Sequence, residues 1–305
     1  MLLTIPIELI IKTASYLEPI DLVSFSLVSK QCRSSALEHM LFHVHDEDTV
    51  QSAIDAGARK IKLTLAGVDS LPTDPTILNK VVFLTLNAMA VDDVQVFKNL
   101  TILDVYNSGL TQLPALPKHL VYLDCSLNKL TILPTLPQTM NGLICKGNRL
   151  TELPTLPPAL LYLYCNINQL TRLPTLPSTL KQLQCHHNLL TELPTLPSTL
   201  EILYCSSNRL TLLPILSFLT FLKQLYCGEN RLTLLPTLPP NLEELSCHAN
   251  QLTLLPALPS TLVILFCEHN QLPQLPTLPL ALKTLGWLGN QFTQQPTLPS
   301  ALTLN

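Results

Sequence analysis

The cysteines are the residues whose spacing most directly suggests chemistry. The chain has nine cysteines. Eight of them recur at steps of 20 residues, with one step of 22: Cys125, Cys145, Cys165, Cys185, Cys205, Cys227, Cys247 and Cys267. Thiols in so regular a row suggest either a series of disulfides or a thiolate metal site.

Neither form of thiol chemistry fits a row of this kind. Adjacent parallel strands lie about 4.7–4.9 Å apart, which is compatible with a disulfide, but in-register side chains point the same way and no pair is favoured over another. Zinc needs ligands that converge tetrahedrally, which a straight row does not provide. We therefore predict buried apolar cysteines in a reducing compartment, with no metal and no cofactor. The ninth cysteine, Cys32, lies outside the row and is also predicted to be structural.

Histidines are the other candidates for chemistry. Four of them follow the cysteine row at the same spacing: His186, His187, His248 and His269. They have acid–base capacity, but no nucleophile elbow, phosphate-binding loop or paired-carboxylate motif accompanies them. Near the N-terminus, two histidines stand beside two acidic residues in what reads as a solvated loop rather than a metal site: His43, His45, Asp46 and Glu47. The chain is therefore predicted not to be an enzyme.

The cysteine row is part of an internal repeat with a period of 20 residues. Residues 120–130 read LVYLDCSLNKL, and residues 131–137 read TILPTLP; close copies follow to the end of the chain. Degenerate copies extend the repeat upstream. The fourth-position leucine thus recurs twelve times, at 63, 84, 103, 123, 143, 163, 183, 203, 225, 245, 265 and 285.

The order of residues within one repeat predicts its local structure. Leu123 and Cys125 are two residues apart, so in a strand both point to the same face, and neighbouring copies stack into a parallel sheet. Asn128 falls where the strand ends, and its amide is expected to bind loop backbone in a ladder, in the turn role that glycine often takes. Pro134 and Pro137 favour an extended, polyproline-like segment over a helix.

The phrase L-x-x-L-x-C-x-x-N-x-L resembles the leucine-rich repeat, and the short period with its L-P-x-L-P tail is similar to the repeats of bacterial-pathogen effectors. The resemblance implies a leucine-rich-repeat solenoid over residues 59–305, with degenerate coils at 59–110 and regular coils at 111–305. A parallel sheet would form its concave face and extended segments its convex face. Such effectors often carry a C-terminal ubiquitin-ligase domain with a catalytic cysteine. No cysteine follows Cys267, so that domain is not expected here.

The first 45 residues do not repeat and read as a small module of three short helices, followed by an acidic junction at 46–58. Pro6 suits a first helical turn, Pro19 ends that helix, and the third helix is expected to end near Leu41 and Phe42. So small a core is marginal alone and usually depends on a partner or a neighbouring domain.

This module resembles the F-box. The matching phrases are Ile5-Pro6-Ile7-Glu8, Tyr16-Leu17 before Asp21-Leu22, and Val28-Ser29-Lys30 with Arg33. The resemblance implies docking to the Skp-family adaptor of a cullin–RING ubiquitin ligase. It assigns the following residues to that adaptor interface: Pro6, Glu8, Leu9, Leu17, Leu22, Val28 and Lys30. Ile5 in place of leucine, and Leu41-Phe42 where tryptophan is usual, leave open that the module is only a helical cap of the solenoid.

Composition and charge exclude several classes of protein. The chain is 47% hydrophobic and has 26 prolines but only 8 glycines, which excludes collagen and argues against disorder. The net charge of −3 comes without a basic stripe, so no nucleic-acid partner is predicted. No apolar run of about 18 residues and no signal peptide are found, so no membrane partner is expected. We predict a cytoplasmic protein, in the host cytoplasm if it is viral or an effector.

Aromatic residues recur at the outward positions of the predicted strands and form a candidate binding face. Its predicted partner-binding residues are Tyr122, Tyr162, Tyr164, His186, Tyr204, Tyr226 and Phe266. Four such aromatics supply roughly 600–1,000 Å², comparable to one side of a standard protein interface. The alternative is that aromatic residues simply suit strands.

These observations favour a non-enzymatic substrate-recognition adaptor of an SCF-type ubiquitin ligase, in which the F-box binds the Skp adaptor and cullin complex and the repeats bind a target protein. The alternative is a leucine-rich-repeat interaction or effector-like protein with no link to ubiquitin, whose helical start is only a cap.

Overall fold

The computed structural model describes residues 41–44, 60–66, 72–87, 93–292 and 303–304. They form one parallel sheet of 14 strands that lie side by side in chain order. The strands are β1 Leu41–Val44, β2 Lys60–Ala66, β3 Val81–Asn87, β4 Ile102–Asp104, β5 Tyr122–Asp124, β6 Gly142–Ile144, β7 Tyr162–Tyr164, β8 Gln182–Gln184, β9 Ile202–Tyr204, β10 Gln224–Tyr226, β11 Glu244–Ser246, β12 Ile264–Phe266, β13 Thr284–Gly286 and β14 Thr303–Leu304. The molecule is a parallel β-solenoid with the leucine-rich-repeat fold.

The repeat predicts the strands correctly. Each of the twelve fourth-position leucines lies in its own strand, from β2 to β13. Leu163, for example, pairs with Leu143 on one side and Leu183 on the other, and it is fully buried. The two-residue insertion does not disturb this register, because Leu203 of β9 still pairs with Leu225 of β10. The extra residues are absorbed in the outer segment between these strands.

Strand β1 differs from the prediction for the N-terminal module. The third helix was expected to end near Leu41 and Phe42, whereas residues 41–44 form a strand that pairs in parallel with β2, Leu41 opposite Lys60. Leu-Phe-His-Val suits a strand, and pairing with β2 satisfies its backbone in the ladder. The rest of the predicted helical module and most of the predicted junction lie outside the described residues.

The convex side of the regular coils has no helix between residues 111 and 292, as the proline pattern predicts. Between β5 and β6, residues 125–141 form turns and extended segments. The one helix in the described part of the chain is α1 (Pro75–Leu78) in a degenerate coil, where the Asp74 side chain accepts a hydrogen bond from the backbone N–H of Thr76. Neighbouring coils are also joined on their outer side, since the Thr139 hydroxyl donates to the carbonyl of Leu120 at 2.7 Å.

The core is a continuous stack of leucine layers. In one coil Leu120, Leu123 and Leu130 are fully buried, and the outer Leu133 and Leu136 are 8% and 2% exposed. A single coil has nothing to bury these side chains against, so the stability of each coil depends on its neighbours along the solenoid.

The turn after each strand from β4 to β13 uses a left-handed residue, but in the regular coils it is not the asparagine that the sequence suggested. Positive φ angles of 49–54° occur at Asn107, Leu127, Ile167, His187, Ser207, Glu229, Ala249 and His269. From Leu127 onward each of these residues stands directly before a repeat asparagine, and Gly147 and Gly289 take the same place in two coils. The asparagine binds backbone, and the residue before it turns the chain.

Candidate functional site: the concave face and the ladders behind it

The repeat asparagines form the predicted ladder. The Asn188 amide nitrogen donates to the carbonyls of Cys165 and Cys185, both at 3.1 Å, and its oxygen accepts from the backbone N–H of Leu170 at 2.9 Å. Asn188 is only 6% exposed. One side chain therefore joins two neighbouring coils by their backbones, and the same arrangement holds along the regular coils.

The eight row cysteines are free and buried, as predicted. Burial raises the pKa of Cys165 to about 12, and that of Cys227 also to about 12. The Cys267 thiol lies 3.4 Å from the carbonyl of Gly286 in the next coil. These thiols are therefore protonated core side chains rather than nucleophiles. Within the described residues, no group of three or more His, Cys, Asp or Glu side chains could hold a metal ion. Cys32 lies outside those residues.

The strands set which side chains reach the concave face. In each three-residue strand of the regular coils the middle leucine points into the core, so the first and third residues point outward to the concave side. Six predicted partner-binding residues lie there half-buried: Tyr162, Tyr164, His186, Tyr204, Tyr226 and Phe266. The structure thus brings them onto one surface, and their role in binding stays a prediction.

Tyr122 is the exception among the predicted face residues. It is only 6% exposed. Its ring lies against Gly142 of the next strand, where a Cβ atom would collide with it. The ring is buried because the neighbouring position is a glycine, so Tyr122 offers a partner little surface and the expectation that it is exposed was wrong.

The tyrosine hydroxyls already have partners within the sheet. Tyr164 donates to the side-chain oxygen of Gln182, Tyr204 to that of Gln224 at 2.5 Å, and Tyr226 to a Glu244 carboxylate oxygen at 2.6 Å. In each case the partner is the first residue of the following strand, so all three rings lean in the same direction. Sequence reasoning missed these bonds, although a glutamine or glutamate 18–20 residues after each tyrosine signals them.

Tyr204 and Tyr226 form a stack at the centre of this surface. Their ring centroids are 4.5 Å apart and their planes differ by 17°. Burial, the hydrogen bond to Glu244 and the charge of that carboxylate raise the pKa of Tyr226, and burial followed by Glu244 also raises the pKa of Tyr204. Both rings are therefore neutral phenols whose hydroxyls are held by the scaffold. A partner would meet ring surface here.

Histidines flank the stack. The His186 ring lies 6.4 Å from the Tyr204 ring and 5.5 Å from the His187 ring. Burial, His187 and Lys146 lower the pKa of His186, so it is neutral at neutral pH. His248 lies on the other side of the stack, where its Nδ1 is 2.9 Å from the Ser246 hydroxyl and its Nε2 is 3.6 Å from a Glu229 carboxylate oxygen.

The charges on this face are unevenly paired. Lys181 binds Glu201 at 2.9 Å, and Lys223 binds Glu243 at 2.5 Å, each pair joining two neighbouring coils. Three further carboxylates lie near the aromatic stack without a lysine or arginine partner within the described residues: Glu229, Glu244 and Glu268. The face around the stack is therefore acidic.

The residues assigned to the adaptor interface, from Pro6 to Lys30, all lie outside the described part of the chain. Within that part, no helix is long and apolar enough to cross a membrane.

Comparison with protein families supports the reading of the N-terminus. The family profile of the F-box domain matches residues 2–43. This match covers the phrases on which the resemblance was based, and it reaches into strand β1. No curated protein sequence gives a significant match.

Solved structures similar to this chain are leucine-rich-repeat proteins. YopM from Yersinia pestis, a leucine-rich effector protein, is 42% identical over 65% of this chain and 57% of its own, with a TM-score of 0.63. YopM from Yersinia enterocolitica is 29% identical over 81% of this chain and 64% of its own, with a TM-score of 0.64. The chain thus spans less than two thirds of the length of either protein.

A third similar structure shares the fold only. The functional domain of InlJ from Listeria monocytogenes, which includes a cysteine ladder, is 22% identical over 80% of this chain and 66% of its own, with a TM-score of 0.52.

Proposed function

We propose that this chain is a substrate-recognition adaptor of an SCF-type ubiquitin ligase and catalyses no reaction itself. The observation that carries the proposal is the F-box match at residues 2–43, which runs directly into the first strand of a solenoid with an aromatic concave face. F-box domains generally bind Skp-type adaptors, and solenoids of this kind serve as binding scaffolds. The N-terminus would dock to the ligase, and the concave face would hold the target protein.

The F-box resemblance supplies the residues for the first contact. Pro6, Glu8 and Leu9 would begin the adaptor interface, with Leu17 and Leu22 after them and Val28 and Lys30 at its end. Most of these side chains are apolar, as expected for a small module that completes its core against a partner. The adaptor in turn would link the chain to the cullin.

The buried free thiols support a cytoplasmic location. Eight unpaired cysteines in one core suit a reducing compartment better than an oxidising one. A cytoplasmic site is also where a ubiquitin ligase would find its substrates.

Binding of the full chain to a purified Skp-family adaptor protein tests the proposal. We expect an equimolar complex on size-exclusion chromatography, and a loss of affinity of at least about ten-fold when Leu9 and Leu22 are both changed to aspartate. Leu212→Asp with Leu254→Asp is the matched control, because these leucines are 56% and 57% exposed on the convex side. A native chain that does not bind the adaptor contradicts the ligase role.

A second function is favoured by the similarity to YopM, which is an effector protein and 42% identical over 65% of this chain. In that case the concave face would bind a host protein without any link to ubiquitin, and the helical start would cap the solenoid. The adaptor-binding measurement separates the two functions, because only the first requires the complex.

A further inference from the structure

We infer that the concave face takes a basic segment of its protein partner, with an arginine side chain laid on the aromatic surface around Tyr204, Tyr226 and Phe266. This inference rests on the proposed role of the face in target binding and specifies the chemistry of the target. Three features of the face lead to it: the partly exposed ring surface, the carboxylates that have no lysine or arginine partner within the described residues, and the way both are held by hydrogen bonds.

The aromatic surface is held in place before any partner arrives. Tyr204 donates to Gln224 and Tyr226 donates to Glu244, so each ring is fixed at its far end by a hydrogen bond to the next strand. Phe266 leans the same way, against Gly286. Because these hydroxyls are already bonded, a partner meets ring surface rather than a free donor, and the stack leaves each tyrosine one π face that the other does not cover. A fixed π face attracts a cation, and arginine stacks on it most readily.

The charge around the rings has the sign that such a partner needs. Lys181 and Lys223 are neutralised by Glu201 and Glu243. Lys283, directly before β13, is exposed and has no ion-pair partner within the described residues, so one lysine stands against three carboxylates. The arginines of the same coils, Arg209 and Arg231, each follow a ladder asparagine and lie beyond the turn, on the flank of the solenoid. The carboxylates of Glu229, Glu244 and Glu268 are left over, so the net charge facing a partner is negative.

Glu244 is placed to bind a guanidinium beside the rings. One of its oxygens accepts from Tyr226 at 2.6 Å, and the other accepts from the Gln224 amide at 3.2 Å. Each carboxylate oxygen has a further lone pair, so both oxygens can also accept from the parallel N–H groups of an arginine. The two bonds fix the orientation of the carboxylate and so lower the entropy that binding would cost.

Glu268 is the second carboxylate, one coil further along. It packs over Gly286, where any Cβ atom would collide with it. One of its oxygens is buried and has no hydrogen-bond partner within the described residues. A carboxylate with an unpaired buried oxygen is costly to keep. A partner's cation at the other oxygen would stabilise the charge that the two oxygens share. Glu244, at the start of β11, and Glu268, two residues after the end of β12, thus lie on either side of Phe266 and suit two basic residues of one segment.

A fluorescent peptide of nine arginines is a suitable probe, titrated against the full native chain at about 150 mM salt, where distant charges are screened. The deciding variants are Glu244→Gln with Glu268→Gln. Their matched control is Glu152→Gln with Glu192→Gln, which changes the net charge equally on the convex side, where both side chains are exposed. We expect at least a ten-fold loss of affinity in the first pair and less than a two-fold loss in the control.

The contribution of the rings is tested in the same way. Tyr226→Leu keeps an apolar side chain but removes the π face, and Tyr106→Leu is the matched control, since Tyr106 is exposed and lies far along the solenoid. We expect Tyr226→Leu, but not the control, to weaken the nine-arginine peptide several-fold, and thermal unfolding to show that each variant is folded. Equal losses in both carboxylate pairs, no effect of Tyr226→Leu, or equal affinity for a nine-glutamate peptide would each overturn the inference.

The peptide titration and the adaptor-binding experiment can give opposite results, so they test the inference and the proposed function separately. If the nine-arginine peptide binds as expected but the Skp adaptor does not, the face binds basic partners without a ubiquitin ligase. If the adaptor binds but the peptide result is negative, the ligase role stands and the target chemistry inferred here is wrong.

Discussion

Asn188 accepts a hydrogen bond from the backbone N–H of Leu170, which lies 18 residues earlier in the chain and one coil away. The same side chain donates to the carbonyls of Cys165 and Cys185. Leu170 is fully buried, so its N–H has no access to water if the asparagine is removed. The cohesion of neighbouring coils therefore depends on buried side-chain amides as well as on apolar packing.

Replacing Asn188 by alanine should destabilise the solenoid strongly. It leaves the Leu170 N–H without a partner, whereas the carbonyls of Cys165 and Cys185 each lose one amide donor and keep another, from Asn168 and Asn208. One unsatisfied buried group costs about 1–3 kcal/mol and each lost hydrogen bond about 0.5–1.5 kcal/mol, so we expect a loss of roughly 2–3 kcal/mol. Gln169→Ala is the control, because Gln169 is exposed beside the ladder. Urea unfolding followed by circular dichroism measures both. A loss below about 1 kcal/mol at Asn188 would show that water replaces the amide.

At the left-handed turn residues, unlike at Asn188, a suitable substitution is expected to relieve backbone strain. Ile167 has a φ of 54° and is 50% exposed. A left-handed conformation costs a non-glycine residue about 1–2 kcal/mol, and most for a β-branched one. We therefore expect Ile167→Gly to be more stable than Ile167→Ala by about 1 kcal/mol. At Thr135, an exposed convex position without a positive φ, the order of glycine and alanine should reverse; the same order at both sites contradicts this account.

The repeat made most of the fold predictable, and the reason is visible at Leu163. Its strand partners are Leu143 and Leu183, so one phrase specifies a strand, its neighbours and its register at once. Local turn geometry was less predictable. The sequence pointed to the conspicuous asparagine, whereas the left-handed residue is the variable one before it, such as Ile167 or Ala249. Residues that turn the chain without a type in common leave no sequence signal.

The candidate site was predictable as a surface but not in its contacts. Periodicity placed Tyr204 and Tyr226 in one column, and the structure stacks them at 4.5 Å. The periodicity did not reveal that Tyr122 is buried, because its burial depends on the absence of a side chain at Gly142 in the next coil. The hydrogen-bond partners of the tyrosine hydroxyls likewise lie at the first position of the following strand. The sequence of a single repeat does not contain that residue.

The buried thiols should be inert in the folded chain. Burial raises the pKa of Cys165 to about 12, and alkylation needs the thiolate. We expect mass spectrometry to find none of the eight row cysteines modified by iodoacetamide at pH 8 in the native protein, and all eight modified in about 6 M guanidinium chloride. A Thr135→Cys variant, with its thiol exposed on the convex side, is the positive control and should be alkylated in the native state.

His186 should make the stability of the solenoid depend on pH below neutrality. Its pKa is lowered from 6.5 by burial, by His187 and by Lys146. The unfolded chain therefore takes up a proton at a higher pH than the folded chain does. Well above pH 6.5 His186 is neutral in both states and does not affect the free energy of unfolding. As the pH falls through 6.5, the unfolded state binds a proton that the folded state does not yet bind, so the folded state becomes less stable.

His186→Gln should remove that part of the pH dependence. We expect the urea midpoint of the native chain to fall between about pH 7.5 and pH 5, and the variant to lose less over the same range. His269→Gln is the control, because His269 is exposed at a turn position. Parallel pH profiles for the native chain and His186→Gln would mean that this imidazole can be protonated without cost, and that the polar groups and water around it replace the solvation that burial removes.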